Sequence, residues 1–283
     1  MEFVKAHGTG NDFVVVEDLA DRHGLSAEFV RAVCDRHFGV GGDGLIRIAP
    51  GTRAPFFMDY RNADGSRAEM CGNGARVVGK YLGDRGYVGS EFDLETPAGV
   101  VHLELHAADD GCIDRVTVDM GAPAFDRASL PMLGQGEALK EQLEAGGQTV
   151  VATCLSMGNP HAVVFVDDVD AAPVTTLGPV LETHPAFPGK TNVEFVQVLA
   201  DDLLRQRTWE RGVGETLACG TGACAVAVAG QLRGLTGRRV AIELRGGRLE
   251  LEWAPGRTVR MTGPAREVAH GTLVGEPLAK LPR

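Results

Sequence analysis

Met70-Cys71-Gly72-Asn73-Gly74-Ala75-Arg76 returns later in the chain as Ala218-Cys219-Gly220-Thr221-Gly222-Ala223-Cys224, which places Cys219 148 residues after Cys71. The same offset carries Gly10-Asn11 onto Gly158-Asn159 and Val15-Val16 onto Val163-Val164. It also carries Glu95, Gly99, Leu103 and Glu104 onto Glu243, Gly247, Leu251 and Glu252. Near the end the register slips, and the Gly121 turn matches Gly263 at an offset of 142. A period this long excludes a solenoid. It predicts a duplication of about half the chain, giving two similar domains across a pseudo-two-fold axis with one cysteine of each lining the cleft.

With 283 residues and 44% hydrophobic content, each half can form its own core. No stretch approaches the ~18 uninterrupted apolar residues of a membrane span. No signal peptide is expected either, because Glu2 and Lys5 lie in a strand-like alternation with no long apolar run behind them. A soluble, cytoplasmic protein is predicted. The net charge of −10 argues against a nucleic-acid partner, which would require a basic surface. In that compartment the six cysteines are expected to be reduced. No Cys-x-x-Cys pair suggests a metal site. Cys34, Cys112, Cys154 and Cys224 read as small buried hydrophobes.

Strands are predicted over Phe3–Ala6, Phe13–Glu17, Leu45–Ile48, Phe56–Tyr60, 92–96, 100–105 and 113–119. The second half repeats them over 150–156, 161–167, 193–198, 203–209, 240–244, 248–253 and 257–262. The segment after Gly74 reads as a helix, and its counterpart, Ala223–Leu232, is apolar almost all round and must be buried on every side. Residues 121–147 read as a domain crossing with a short helix near 136–144. Residues 169–190, with four prolines, read as a long connection. The predicted fold is α+β: two pseudo-symmetric domains, each a mixed sheet wrapped around a buried central helix. The expected halves are 1–120, joined by a tail 266–283, and 121–265.

Each repeated cysteine precedes a Gly-x-Gly turn and a helix, so its thiol sits near a helix N-terminus. There the dipole and free N–H groups favour thiolate and can hold a carboxylate. Two such thiols suit inversion at a carbon acid, one thiolate removing a proton while the other thiol returns one to the opposite face. None of the five lysines stands in a PLP-like phosphate-binding context, so no cofactor is expected. A cage of N–H donors around the substrate carboxylate is the remaining way to stabilise the carbanion.

Six ordered runs make the chain similar to the diaminopimelate epimerase family over nearly its whole length. Besides the two cysteine motifs, they are His7-Gly8-Thr9-Gly10-Asn11-Asp12-Phe13, Asn62-Ala63-Asp64-Gly65-Ser66, Met157-Gly158-Asn159-Pro160-His161 and Thr191-Asn192-Val193-Glu194-Phe195, and the second cysteine motif is preceded by Glu210-Arg211-Gly212-Val213-Gly214-Glu215-Thr216-Leu217. The resemblance implies a PLP-independent, two-thiol epimerase of LL- and meso-2,6-diaminopimelate, serving lysine and cell-wall precursor synthesis as a homodimer. It makes Cys71 and Cys219 the acid/base pair and assigns the reacting end of the substrate to Gly72, Asn73, Gly220 and Thr221. Asn62, Asn159, Asn192, Glu210 and Arg211 would take the far end, with Asn11 also at the site, and His161 and Glu210 would tune the thiols. A guanidinium for a distal carboxylate, and a carboxylate with amide oxygens for an ammonium, suit a distal zwitterion. Some members carry Gln where this chain has Gly44. The alternative readings are a proline or hydroxyproline racemase of the same fold, which would have no use for the distal set, a phenazine-pathway isomerase without the thiol pair, and a binding module with a redox switch.

Overall fold

The computed structural model describes residues 1–68, 70–275 and 280. The chain divides into two compact units, Met1–Val118 with Gly263–Arg283, and Asp119–Thr262. Positions 276–279 and 281–283 of the tail expected to join the first half lie outside the described residues.

The first unit is built from β1 (Glu2–Gly8), β2 (Asn11–Glu17), α1 (Ala27–Cys34), β3 (Gly44–Pro50), β4 (Phe56–Asn62), α2 (Gly72–Asp84), β5 (Glu91–Thr96), β6 (Gly99–Ala107) and β7 (Ile113–Asp119). The second follows with β8 (Ala138–Ala145), β9 (Gln148–Ser156), β10 (Pro160–Phe165), α3 (Val174–Glu182), β11 (Asn192–Ala200), β12 (Leu203–Glu210), β13 (Gly214–Thr216), α4 (Gly220–Leu232), β14 (Arg239–Leu244), β15 (Gly247–Glu252) and β16 (Arg260–Pro264). The chain then returns to the first unit for β17 (Arg266–Thr272), which pairs antiparallel with β1.

Both units alternate in the same way. β2 and β3 run parallel, as do β4 and β5, and the crossovers that parallel pairing requires are α1 and α2. In the second unit the parallel pairs are β10 with β11 and β12 with β14, bridged by α3 and α4. The repeat extends to the hydrogen-bond register. Phe13 faces Gly44 as His161 faces Asn192, and Leu45 faces Arg61 as Val193 faces Trp209, each pair shifted by 148. In the last hairpin Leu103 faces Val118 whereas Leu251 faces Met261, a shift of 143.

α2 packs against β1, β4, β6 and β17, and α4 against β9, β10, β11, β14 and β15. Every residue from Ala223 to Gly230 is buried. α2 is also buried, although it carries Arg76 and Lys80. α1 packs against β3, and its residues Phe29, Val30 and Val33 cluster with Val14, Val16 and Leu45. α3 lies against β8, β11, β12 and β13.

Three expectations need correction. The segment expected to be helical near 136–144 is strand β8, hairpinned to β9 through Gly146-Gly147, whose φ values of 60° and 77° suit a tight two-residue turn. Good helix formers yielded to strand pairing that buries Ala138, Leu143 and Ala145. The long connection at 169–190 contains α3, the counterpart of α1, with Pro179 inside it. Cys112 is exposed, whereas Cys34, Cys154 and Cys224 are buried. Among the described residues, no helix is long and apolar enough to cross a membrane.

Candidate active site

α2 begins directly after Cys71 and α4 directly after Cys219, and each cysteine is the N-cap of its helix. Cys71 is extended at φ −144°, ψ 105°, and its Sγ accepts the Gly74 N–H at 3.4 Å. Cys219 repeats this at φ −115°, ψ 110°, accepting the Gly222 N–H at 3.4 Å. Ser, Thr, Asp and Asn are the favoured caps, so a thiol there twice is not explained by helix stability.

In the first unit the half-buried Cys71 thiol donates to Asn11 Oδ1 at 3.8 Å. The same oxygen accepts from Asn73 Nδ2 at 3.2 Å, and Asn73 Oδ1 accepts from Arg76 at 2.8 Å. Arg76 is fully buried and also donates to Thr9 Oγ1 at 2.5 Å, where Thr9 is held in the left-handed region at φ 53°. Asn11 Nδ2 donates to Asp43 at 2.8 Å. Asn62, at the end of β4, donates to Ser66 within its own turn at 3.0 Å. A Cβ at Gly44 would lie 2.4 Å from the Arg61 carbonyl oxygen and 2.5 Å from the Tyr60 ring, so this backbone leaves no room for a longer side chain there.

In the second unit Cys219 Sγ lies 3.5 Å from Thr221 Oγ1, which accepts from Asn159 Nδ2 at 3.3 Å. Asn159 Oδ1 is 3.0 Å from His161 Nε2, and His161 Nδ1 is 2.8 Å from Glu194, with both side chains fully buried. Glu194 also lies beside the start of α4, where a Cβ at Gly222 would come within 2.7 Å of its Oε1. Asn192 donates to the Pro160 carbonyl at 2.8 Å and accepts the Arg211 N–H at 3.0 Å. Glu210 accepts the Thr216 hydroxyl at 2.5 Å, and the exposed Arg211 guanidinium donates to the Gly189 carbonyl at 3.2 Å.

The expectation of a depressed thiol pKa fails at Cys219. Burial pushes this thiol well above its ordinary range, and the Glu210 and Glu194 carboxylates push it the same way. The Thr221 hydroxyl and the Gly222 N–H oppose them and do not prevail. Desolvation of the anion outweighs the helix terminus.

Four residues outside the expected set hold these groups in place. Glu194 anchors His161, and Asp43 and Arg76 bracket Asn11 and Asn73. Glu182, at the end of α3, accepts from the Trp209 indole at 2.7 Å and the Gly212 N–H at 3.0 Å, on either side of Glu210-Arg211. A carboxylate inside the apolar run Val193–Val196 was a signal for Glu194.

Residues 3–125 and 153–268 match the model of the diaminopimelate epimerase family. The diaminopimelate epimerase of Pelotomaculum thermopropionicum is 51% identical over 279 residues, covering 96% of this chain and 98% of that protein. That of Heliobacterium modesticaldum is 50% identical over 280 residues, covering 96% and 99%. Among solved structures, a probable proline racemase from Agrobacterium radiobacter K84 superposes with a TM-score of 0.71 at 17% identity, covering 99% of this chain and 94% of that one. That likeness is one of fold.

Proposed function

This chain belongs to the diaminopimelate epimerase family, and we propose that it interconverts LL- and meso-2,6-diaminopimelate with two thiols, Cys71 and Cys219, and without PLP. The observation that carries the chemistry is the pair of cysteine N-caps, one on the buried helix of each unit. One sulfur, as thiolate, takes the Cα proton and becomes a thiol. The other, as thiol, gives its proton to the opposite face of the planar carbanion and becomes the thiolate, so the roles exchange in the reverse direction. Charge that develops on the reacting carboxylate meets the first N–H groups of α2 and α4, from Gly72, Asn73, Gly220 and Thr221, which need no reorganisation. Asn11 and Asn159 orient that end, and His161 fixes Asn159. Asn62, Asn192, Glu210 and Arg211 take the distal amino acid centre. Burial and the Glu210 and Glu194 carboxylates favour the protonated form of Cys219, which suits the proton-donor half of its role. The reading extends to a cytoplasmic homodimer that supplies lysine and cell-wall precursor synthesis.

Incubation of reduced protein with LL-diaminopimelate in D2O should produce the meso isomer with solvent deuterium at Cα. Proline racemised at a comparable rate would replace this reading with the racemase one.

Arg211→Ala should raise KM for diaminopimelate roughly a hundredfold, because a bidentate grip on the distal carboxylate is lost. Arg211→Lys keeps the charge without the planar fork and should recover little. Steady-state kinetics of both variants test this, and a wild-type KM in either would remove Arg211 from the binding set.

Glu182 should act on the same turn. Burial alone would raise its carboxyl pKa, but hydrogen bonds from Trp209, Gly212 and Lys190 outweigh burial and hold it below the usual range. A depressed folded pKa means that its stabilisation is complete above the unfolded value, about 4.3, and is lost as pH falls through the lowered folded value. Glu182→Ala should raise KM about tenfold at neutral pH with kcat nearly unchanged. An equal loss in kcat would show that the turn does more than bind.

A further inference from the structure

Resting on the reading above, we propose that Asp43 and Arg76 are positioning residues: together they lock the side-chain amides of Asn73 and Asn11 in one orientation, so that a carbonyl oxygen stays against the Cys71 sulfur. Neither residue belongs to the expected site.

The orientation follows from what the two ends of the chain of bonds can do. A guanidinium only donates, and an ionised carboxylate only accepts. Arg76 therefore requires the oxygen of Asn73 to face it, which turns the Asn73 N–H2 toward Asn11. Asp43 requires the N–H2 of Asn11, which turns the Asn11 oxygen toward both Asn73 and Cys71. Two amides that could each be flipped in isolation are fixed because the ends of the relay have opposite, obligatory roles. Both ends are themselves anchored. Arg76 is fully buried and tied to Thr9 and the Pro264 carbonyl. Asp43 accepts the Asp12 N–H at 3.1 Å and Arg36 at 2.8 Å, and Arg36 and Lys5 both pair with Asp12.

The charged groups that reach Cys71 through this relay are Arg76 from α2, Asp43 from the loop before β3, Asp12 from β2, Lys5 from β1 and Arg36 from the segment after α1. Among the described residues, the hydrogen-bonded link from this relay to the sulfur is Asn11 Oδ1. An acceptor beside the sulfur hydrogen-bonds the thiol and not the thiolate, so the Asn11 oxygen favours the protonated form and opposes the Gly74 N–H, which favours the thiolate. The other thiol is favoured in its protonated form by a different route, burial and the Glu210 and Glu194 carboxylates. The second unit has a chain of its own, from Cys219 through Thr221, Asn159 and His161 to Glu194, built on different end residues. The positions 148 residues after Arg76 and Asp43 are Cys224 and Thr191, neither of which is charged.

The test uses the full-length protein. Asp43→Ala removes the acceptor at the half-exposed end of the relay, while Asp43→Asn can still turn an oxygen to Asn11. The rate of iodoacetamide alkylation at Cys71, followed by peptide mass spectrometry against pH, reports its basicity independently of turnover. Asp43→Ala should lower the midpoint of that profile by about one pH unit and cut kcat about tenfold with KM for diaminopimelate little changed. Asp43→Asn should keep most of the wild-type midpoint and kcat. A midpoint unmoved in Asp43→Ala, or an Asp43→Asn variant as impaired as Asp43→Ala, would overturn the proposal. Because the alkylation profile needs no turnover, it tests the relay even where wild-type protein fails to epimerise diaminopimelate, an outcome that would sink the functional reading alone.

Discussion

Cys71→Ala and Cys219→Ala should each lose at least about a thousandfold in epimerisation, since inversion needs a proton donor on one face and an acceptor on the other and general acid–base groups contribute roughly 10²–10⁴ each. The fold should survive both changes. Each thiol accepts a helix N–H at 3.4 Å, and loss of a cap costs only about 1 kcal/mol. Serine at either position should also be poor, because an alcohol is a far weaker acid than a thiol. Chiral separation of the products, with circular dichroism to confirm folding, measures both quantities. Near-normal turnover in either alanine variant would exclude a two-thiol mechanism.

His161→Phe should destabilise the protein by about 3–5 kcal/mol, because it leaves the fully buried Glu194 carboxyl without its 2.8 Å partner. The duplication provides the control. The positions 148 residues earlier are Phe13 and Ile46, both fully buried in the first unit. The double variant His161→Phe with Glu194→Ile imports that apolar pair, and it should recover at least half of the lost stability, since replacing a whole buried pair by hydrophobic residues is often neutral. Its activity should stay low, because Asn159 has lost the imidazole that fixes it. Urea unfolding of the three proteins separates the effects. A double variant no more stable than the single one would mean that this site cannot be packed as its counterpart is.

The 148-residue offset and the buried helices were legible because a repeat is a property of the chain itself, and the structure repeats it down to strand register. What escaped had competing local signals. Around Pro173 and Pro179 the breakers concealed α3, which starts at the residue after one proline and accommodates the other in its second turn. At 138–145 the helix-forming composition concealed a hairpin strand that is decided by Gly146-Gly147 and by burial. The cysteines and asparagines could be singled out by motif, whereas Asp43 and Glu182 act through partners far away in sequence. Glu182 meets Trp209 27 residues on, and Asp43 meets Asn11 32 residues back. The protonation of Cys219 was misjudged for a similar reason: a helix N-terminus is visible in sequence, but the completeness of burial around a sulfur is not.

The return of the chain to pair β17 with β1 sets an order of events on the ribosome. β1 is hydrogen-bonded on one edge to β2 and on the other to β17, and all of Asp119–Thr262 is made between β7 and β17. At roughly 5–20 residues per second, β1 waits on the order of ten seconds or more with one edge unpaired while the second unit emerges in a single uninterrupted stretch. Of the two units, the one whose strands are made first is thus the last to be completed. An open strand edge is the part of a nascent sheet most prone to pair with the wrong chain, so slowed or truncated translation beyond Thr262 should expose the first unit, and not the second, to misassembly.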